Sequence, residues 1–169
     1  ILFAGGASGG MFRSTDGGLS WAMTTSPNQL HNVTCVSQDT RIGHEDTWYF
    51  GSGELTGSSA SGGEAYYGGN GIYKSVDGGL SWDSLAVTAT NTNTFDSNFD
   101  FIWNVKTDPS NDSLDVVYAA VYSAIYRSEN GGNSWTKVLG GNNVAYYTNL
   151  EVTSTGVVYA TLSSDGTDK

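Results

Sequence analysis

The residues of this chain best equipped for chemistry are carboxylates set among aromatic rings. Glu54 and Glu64 fall in GELTGSSASGGEAYYGGN (53–70) together with Tyr66 and Tyr67, and Asp96 and Asp100 fall in TATNTNTFDSNFD (88–100) beside Phe95. A third irregular stretch, GGNNVAYY (140–147), adds Tyr146 and Tyr147, and Trp103 follows Asp100 closely. Aromatic faces stack on the apolar faces of sugar rings while carboxylates and amides take up hydroxyls. Tyr66, Tyr67, Trp103, Tyr146 and Tyr147 are therefore candidate ligand-binding residues. Two carboxyls at a defined separation would also permit hydrolysis of a glycosidic bond, with Glu54, Glu64, Asp96 and Asp100 as candidates. The spacing does not select the pair, and the same rings could simply anchor long loops onto a sheet.

Other chemistries find less support. His31 and His44 have no cysteine or histidine neighbour at zinc spacing. DPSNDSLD (108–115) and HED (44–46) offer oxygen ligands for Ca²⁺, but ordinary turns explain them better, and no cofactor is expected. Cys35, in the alternation NVTCV, reads as a buried, inert thiol, and a single cysteine forms no intrachain disulfide. The triplets at Asn32 and Asn111 fit the glycosylation pattern by accident. With 17 acids against 7 bases the net charge is −10, which excludes the footprint of a nucleic-acid binder and suits a secreted or cell-surface setting. No apolar run is long enough to span a bilayer, so membrane insertion is not expected, and no signal peptide is read.

The elements that must position these residues are marked by an octapeptide. STDGGLSW (14–21), SVDGGLSW (75–82) and SENGGNSW (128–135) lie 61 and 53 residues apart, counted from Ser14 to Ser75 to Ser128. Each follows a strand-like segment: GGMFRS, NGIYKS or SAIYRS. Second-strand candidates stand upstream (ILFAGG, 47–54, 115–122), with one more at 156–163, and first-strand candidates at 32–36, 101–107 and 148–153. Fourth strands begin at Trp21, Trp82 and Trp135. A 50- to 60-residue period holding four short strands is the pattern of a β-propeller blade. The expectation is an all-β arc of four-stranded antiparallel blades, a piece of a larger propeller, with units at 1–28, 29–88, 89–141 and 142–169.

The octapeptide itself reads as the hairpin between third and fourth strands. Asp16, Asp77 and Asn130 would accept from the turn's own amides, Gly18, Gly79 and Gly132 would adopt positive φ, and the tryptophans would fold back into the blade. An acid needed for proton transfer could not become Asn130, whereas a turn-former could. Arg13, Lys74 and Arg127 share the slot before each serine and read as surface ion-pair partners. Alternation of strand direction places the irregular, residue-rich loops on the face opposite the octapeptides.

The motif S-x-D-x-G-x-[ST]-W resembles the Asp-box, or bacterial neuraminidase repeat. Its positions here are Ser14, Asp16, Gly18 and Trp21; Ser75, Asp77, Gly79 and Trp82; and Ser128, Asn130, Gly132 and Trp135. The chain is similar to the propellers of sialidases, xyloglucan-degrading hydrolases, sortilin-type receptors and a photosystem II assembly factor. GSGE, a Gly/Ser-rich insertion and GGNGIYKSVDGGLSW resemble the large secreted propellers of Bacteroidota, many of which carry a type IX secretion sorting tail. The resemblance implies that the octapeptides lie on the rim away from the active face. It also implies as partners the rest of a propeller and a secretion machinery. A sialidase is disfavoured, because two of the three arginines, Arg13 and Arg127, occupy repeat slots; the acid-containing segment of xyloglucan-active enzymes has no clear counterpart. The favoured reading is a secreted or cell-surface module that binds glycan or protein. A glycoside hydrolase is the second, and a structural module of a large adhesin or secretion cargo the third.

Overall fold

The computed structural model describes residues 1–29, 32–57, 65–92, 94–141 and 147–163, with the backbone alone at 56, 57, 65 and 66. Valine-, isoleucine- and tyrosine-rich runs bounded by glycine turns form short strands throughout. Strand β1 (Leu2–Gly6) runs antiparallel to β2 (Gly10–Ser14), which pairs with β3 (Ala22–Met23). A four-stranded sheet begins with β4 (Val33–Gln38) and β5 (Trp48–Ser52). A separate hairpin, β6 (Glu54–Gly57) and β7 (Ala65–Tyr67), follows before β8 (Ile72–Ser75) and β9 (Asp83–Ser84) complete that sheet. One 3-10 turn, η1 (Asn98–Asp100), leads into a second four-stranded sheet of β10 (Ile102–Thr107), β11 (Val117–Val121), β12 (Ala124–Ser128) and β13 (Thr136–Gly140). The last pair is β14 (Tyr147–Val152) with β15 (Val158–Ser163). Among the described residues, no helix is long and apolar enough to cross a membrane.

The sheets stack face to face, which explains why the middle strands bury both sides. Along β5, Tyr49 enters one apolar cluster with Ile72, Ile102 and Val105, while its neighbour Phe50 enters another with Met11, Tyr73 and Trp82. Alternate side chains of a strand point to opposite faces, so one strand serves two interfaces. Phe50 is completely buried, and a ring of that size contributes about 2–3 kcal/mol through removal from water. The first strands of successive sheets lie side by side. Thr34 Oγ1 donates to the Ile102 carbonyl at 2.5 Å, Thr107 Oγ1 to the Gln38 carbonyl at 2.7 Å, and Asn104 Nδ2 to the Leu150 carbonyl at 3.0 Å. Cys35 is only half-buried as a residue, yet its sulfur packs toward Gly51, and burial pushes the thiol up to about 11.

The octapeptides are closed hydrogen-bonded turns. Ser14 Oγ donates to Asp16 Oδ1 at 2.8 Å and accepts from the Gly18 amide at 2.9 Å, and Asp16 takes the Ser20 amide at 2.9 Å and the Ser20 hydroxyl at 2.6 Å. Ser75, Asp77, Gly79 and Ser81 repeat this pattern. In the third copy Asn130 Oδ1 still accepts from Ser128 Oγ and from the Ser134 amide, but Asn130 Nδ2 now donates to Ser134 Oγ at 2.9 Å. The amide reverses one bond and keeps the turn. Each turn places two successive glycines at φ between 66° and 94°, where a side chain is strained.

Two bases in the shared slot act across sheets rather than as surface ion-pair partners. Arg13 Nε donates to the Gly78 carbonyl at 2.8 Å, and Lys74 Nζ to the Gly131 carbonyl at 3.2 Å, so each binds the same glycine of the next octapeptide. Arg127 does pair with Glu129. The tryptophans also differ. Trp82 is 4% exposed and donates to Thr24 Oγ1 of the preceding sheet, whereas Trp21, in a matching octapeptide, is 43% exposed and donates to its own Gly18 carbonyl.

The turns respond to acid. The Ser81 hydroxyl bond, foremost, holds Asp77 down to about 2 from an ordinary 3.8, and the Ser20 hydroxyl holds Asp16 below the usual carboxylate range. A carboxylate whose folded pKa is depressed stabilises the fold above its unfolded value and loses that contribution as pH falls through the folded one. The Leu80 and Ser81 amides should therefore lose exchange protection between about pH 4 and pH 2. The same amides in Asp77→Asn should show no such step. Protection of the wild-type turn that is unchanged across the window would contradict this account.

Candidate functional site

Strand direction sorts the loops onto two faces. β4 starts, β5 ends and β8 starts on one face, together with η1 and the β11–β12 turn; the octapeptides occupy the other. On the first face a cleft of about 270 Å³ opens between the starts of β4 and β10 and the β6 edge. Its lining includes Asn32, Thr34, Glu54, Leu55, Ile102 and Trp103.

One wall is set by Gly53. With φ of +91° it turns the chain from β5 into β6, and an added Cβ would stand 1.8 Å from the Asp100 carbonyl oxygen. That oxygen also accepts from the Gly69 amide at 2.9 Å, which ties the chain just after the β6–β7 hairpin to η1. Glu54 opens β6, half-buried, opposite Tyr67 in β7. At the cleft base Asn32 is 6% exposed, and its Nδ2 donates to the carbonyls of Gly68 at 3.0 Å and Tyr67 at 3.3 Å. Among the described residues, its buried carbonyl oxygen meets no donor. The opposite wall is Trp103, which begins an aromatic row. Its ring stacks with Tyr122 at 6.5 Å and meets Tyr147 edge-on at 5.7 Å, and Tyr122 also touches Phe95 at 4.9 Å. Tyr147 and Tyr67 are 41% and 36% exposed, leaving ring surface open to a ligand.

The structure thus brings Glu54 and Trp103 to one cleft, with Tyr67 and Tyr147 beside it. The acids of the next stretch are engaged elsewhere. Asp100 is 2% exposed, and its Oδ2 accepts from the amides of Asp96 at 2.9 Å and Ser97 at 2.8 Å, closing the N-terminus of η1 with Ser97 as cap. Asp96 is exposed and accepts from Thr92 Oγ1 at 2.7 Å. Glu64, Tyr146, His31 and the Tyr66 side chain lie outside the described residues. Among the described lining residues Glu54 is the single carboxylate. Sequence reasoning passed over Asn32 except as a glycosylation triplet; its burial and its two bonds to the β7 end depend on a hairpin 35 residues away.

No protein-family model matches the sequence, and no curated protein does. Solved structures do. The chain is similar to an ancestral GH74 enzyme, 25% identical with a TM-score of 0.70 over 96% of this chain and 20% of that one. It is also similar to the GH74 xyloglucanase from Xanthomonas campestris, 15% identical with a TM-score of 0.58 over 98% of this chain and 26% of that one. The fold is a β-propeller arc. The chain spans about a fifth to a quarter of the length of these structures, and its four-stranded sheets are the blades.

On the octapeptide face of the propeller, Arg41 joins two blades. It projects from the β4–β5 loop, 7% exposed, and its Nε donates to Asp39 Oδ1 at 2.9 Å. One terminal nitrogen donates to the carbonyls of Asn111 at 2.9 Å and Leu114 at 3.0 Å; the other reaches Asp39 at 2.5 Å and Asp115 at 2.6 Å. Ligand atoms of Asp39, His44 and Asp115 lie within 4.8 Å of one another; His44 and Asp115 fall in the two stretches read from sequence as weak Ca²⁺ candidates, and Asp39 falls outside them. The guanidinium stands among them and bonds to both carboxylates. Nearby acids are turn-formers: Asp108 accepts from the Ser110 amide at 2.9 Å, and Glu45 from the Gly43 amide at 2.8 Å.

Proposed function

We propose that this arc supplies part of a glycan-binding cleft on the loop face of a secreted or cell-surface propeller. The observation that carries the reading is that Trp103 and Glu54 line one cleft together with Asn32, whose side-chain carbonyl oxygen meets no donor among the described residues. The row from Trp103 to Tyr147 suits ring stacking beside these polar groups. The likeness to a structure described as a GH74 enzyme supports a glycan ligand.

Titration calorimetry and a glycan array covering plant, algal and host glycans test the proposal. Binding to at least one oligosaccharide class is expected, weakened about tenfold or more in Trp103→Ala through loss of the stacking ring. A blank array, or equal affinity in Trp103→Ala, removes it. Hydrolysis is the second reading, favoured by the position of Glu54, with its partner carboxyl drawn from outside the described cleft. Turnover abolished in Glu54→Gln with binding retained would support hydrolysis; turnover equal to wild type would remove Glu54 from it.

A further inference from the structure

We infer that the cleft takes a cationic sugar, a glycan with free amino groups held as ammonium between the Glu54 carboxylate and the Trp103 ring. The inference rests on the reading of this cleft as a glycan site and adds the class of sugar. It starts from the hydrogens that the lining has left to give. Asn32 Nδ2 gives its own to backbone carbonyls, those of Gly68 and Tyr67. The Thr34 hydroxyl gives its one hydrogen to the Ile102 carbonyl. Glu54, half-buried at the head of β6, has only acceptor atoms when ionised. Among the described lining residues, no arginine or lysine stands beside it. Asn32, Thr34 and Glu54 thus leave the cleft short of donors, with one uncompensated negative charge. A sugar hydroxyl both donates and accepts, whereas an ammonium only donates and brings the missing charge. The face of an indole also attracts a cation, so the wall that stacks a sugar ring favours the charged one. A carboxylated or sulfated sugar would face Glu54 without a counter-ion.

The distribution of charge over the two faces points the same way. The bases are committed toward the octapeptide ends of the strands. Arg13 and Lys74 bind octapeptide glycines, and Arg41 binds Asp39 and Asp115. Lys106 pairs with Glu151 at 3.0 Å near the far ends of β10 and β14, and Arg127 pairs with Glu129. Among the described bases, Lys137 alone turns toward the loop face, where its Nζ closes on Gly141 just after the outer strand β13. The loop face carries Asp96 and Asp100 besides Glu54, and the Asp100 backbone lies against Gly53, the residue before Glu54. Carboxylates gathered around a cleft with apolar walls draw cations toward it.

The test titrates the full chain by calorimetry with tetrasaccharides of one linkage that differ in a single ring substituent: glucosamine, N-acetylglucosamine and glucose. At about pH 6 the free amine is charged. The expected result is affinity for the glucosamine oligomer at least about tenfold above that for the two neutral ones, since a charge-assisted bond and a cation over an indole are both at stake. Added salt should shrink that lead. E54Q should bring the three ligands to within about threefold of one another while the neutral pair keeps its affinity. D96N, which removes an exposed acid of the same face outside the cleft lining, should keep the lead. Equal affinity for the glucosamine and glucose oligomers overturns the inference and leaves the glycan reading standing. A lead that survives in E54Q, an equal loss for all three ligands in E54Q, or a lead lost as fully in D96N overturns it as well. Binding of none of the three also overturns it, and only a blank glycan array removes the wider reading with it.

Discussion

Arg41→Ala is expected to lower the free energy of unfolding by about 3–5 kcal/mol, among the largest losses available to a single side chain here. The guanidinium and the Asp39 carboxylate have side chains 6% and 5% exposed, so removing the cation strands a buried anion. It also removes donors to two carbonyls of the next blade, at Asn111 and Leu114. Unfolding in urea should show the midpoint falling without a large change in slope. The double variant Arg41→Met with Asp39→Asn should recover much of the loss, because a neutral pair leaves no uncompensated charge. A loss below about 1 kcal/mol in Arg41→Ala would contradict this account and place the cluster with ordinary surface pairs. The acid response follows from the same contact. The Arg41 bond, first among the causes, holds Asp115 below the usual carboxylate range, so its contribution is present above about pH 4 and is lost in stronger acid. In Arg41→Ala that part of the acid sensitivity should disappear.

Gly53→Ala is expected to cost about 3 kcal/mol or more and to disorganise the cleft. Two effects add at this position. A side chain at φ of +91° is strained, and its Cβ would lie 1.8 Å from the Asp100 carbonyl oxygen, so the backbone of β6 or η1 has to move. Gly43→Ala is the matched control. Its φ is +86°, but the added Cβ meets nothing within 4 Å, so only the conformational part, about 1 kcal/mol, remains. The difference between the two variants in urea isolates the steric part. Because Gly53 precedes Glu54 directly, Gly53→Ala should also shift the indole resonance of Trp103, whereas Gly43→Ala should leave it in place. Equal stabilities for the two variants would show that the hairpin yields without strain.

Much of the architecture was legible in the sequence. Serine, acid or amide, glycine pair, serine and tryptophan complete a hydrogen-bonded turn inside eight residues, so three copies located three hairpins, and the apolar runs around them located the strands. The β6–β7 hairpin was hidden, because ELT and AYY stand in a Gly/Ser-rich stretch that reads as irregular loop. The turn η1 was hidden too, since its cap depends on Asp100 being withdrawn from solvent. Asp100 read as one of four candidate catalytic carboxyls, and its Oδ2 accepts from two backbone amides.

What the sequence alone determined about this protein is what local bonding determines: the octapeptide turns, the alternating strands and the face on which the long loops gather. The tertiary structure decided the use of each group whose partner is far along the chain. Trp82 lies buried against the preceding blade, its indole donating to Thr24 Oγ1 58 residues earlier. Arg13 and Lys74 look like surface charges until the next octapeptide's glycine carbonyl comes to meet them. Arg41 finds Asp115 74 residues away, and Asn32 loses its solvent to a hairpin that follows it by 35. Burial and long-range hydrogen bonds are properties of the packed blades, and no octapeptide contains them.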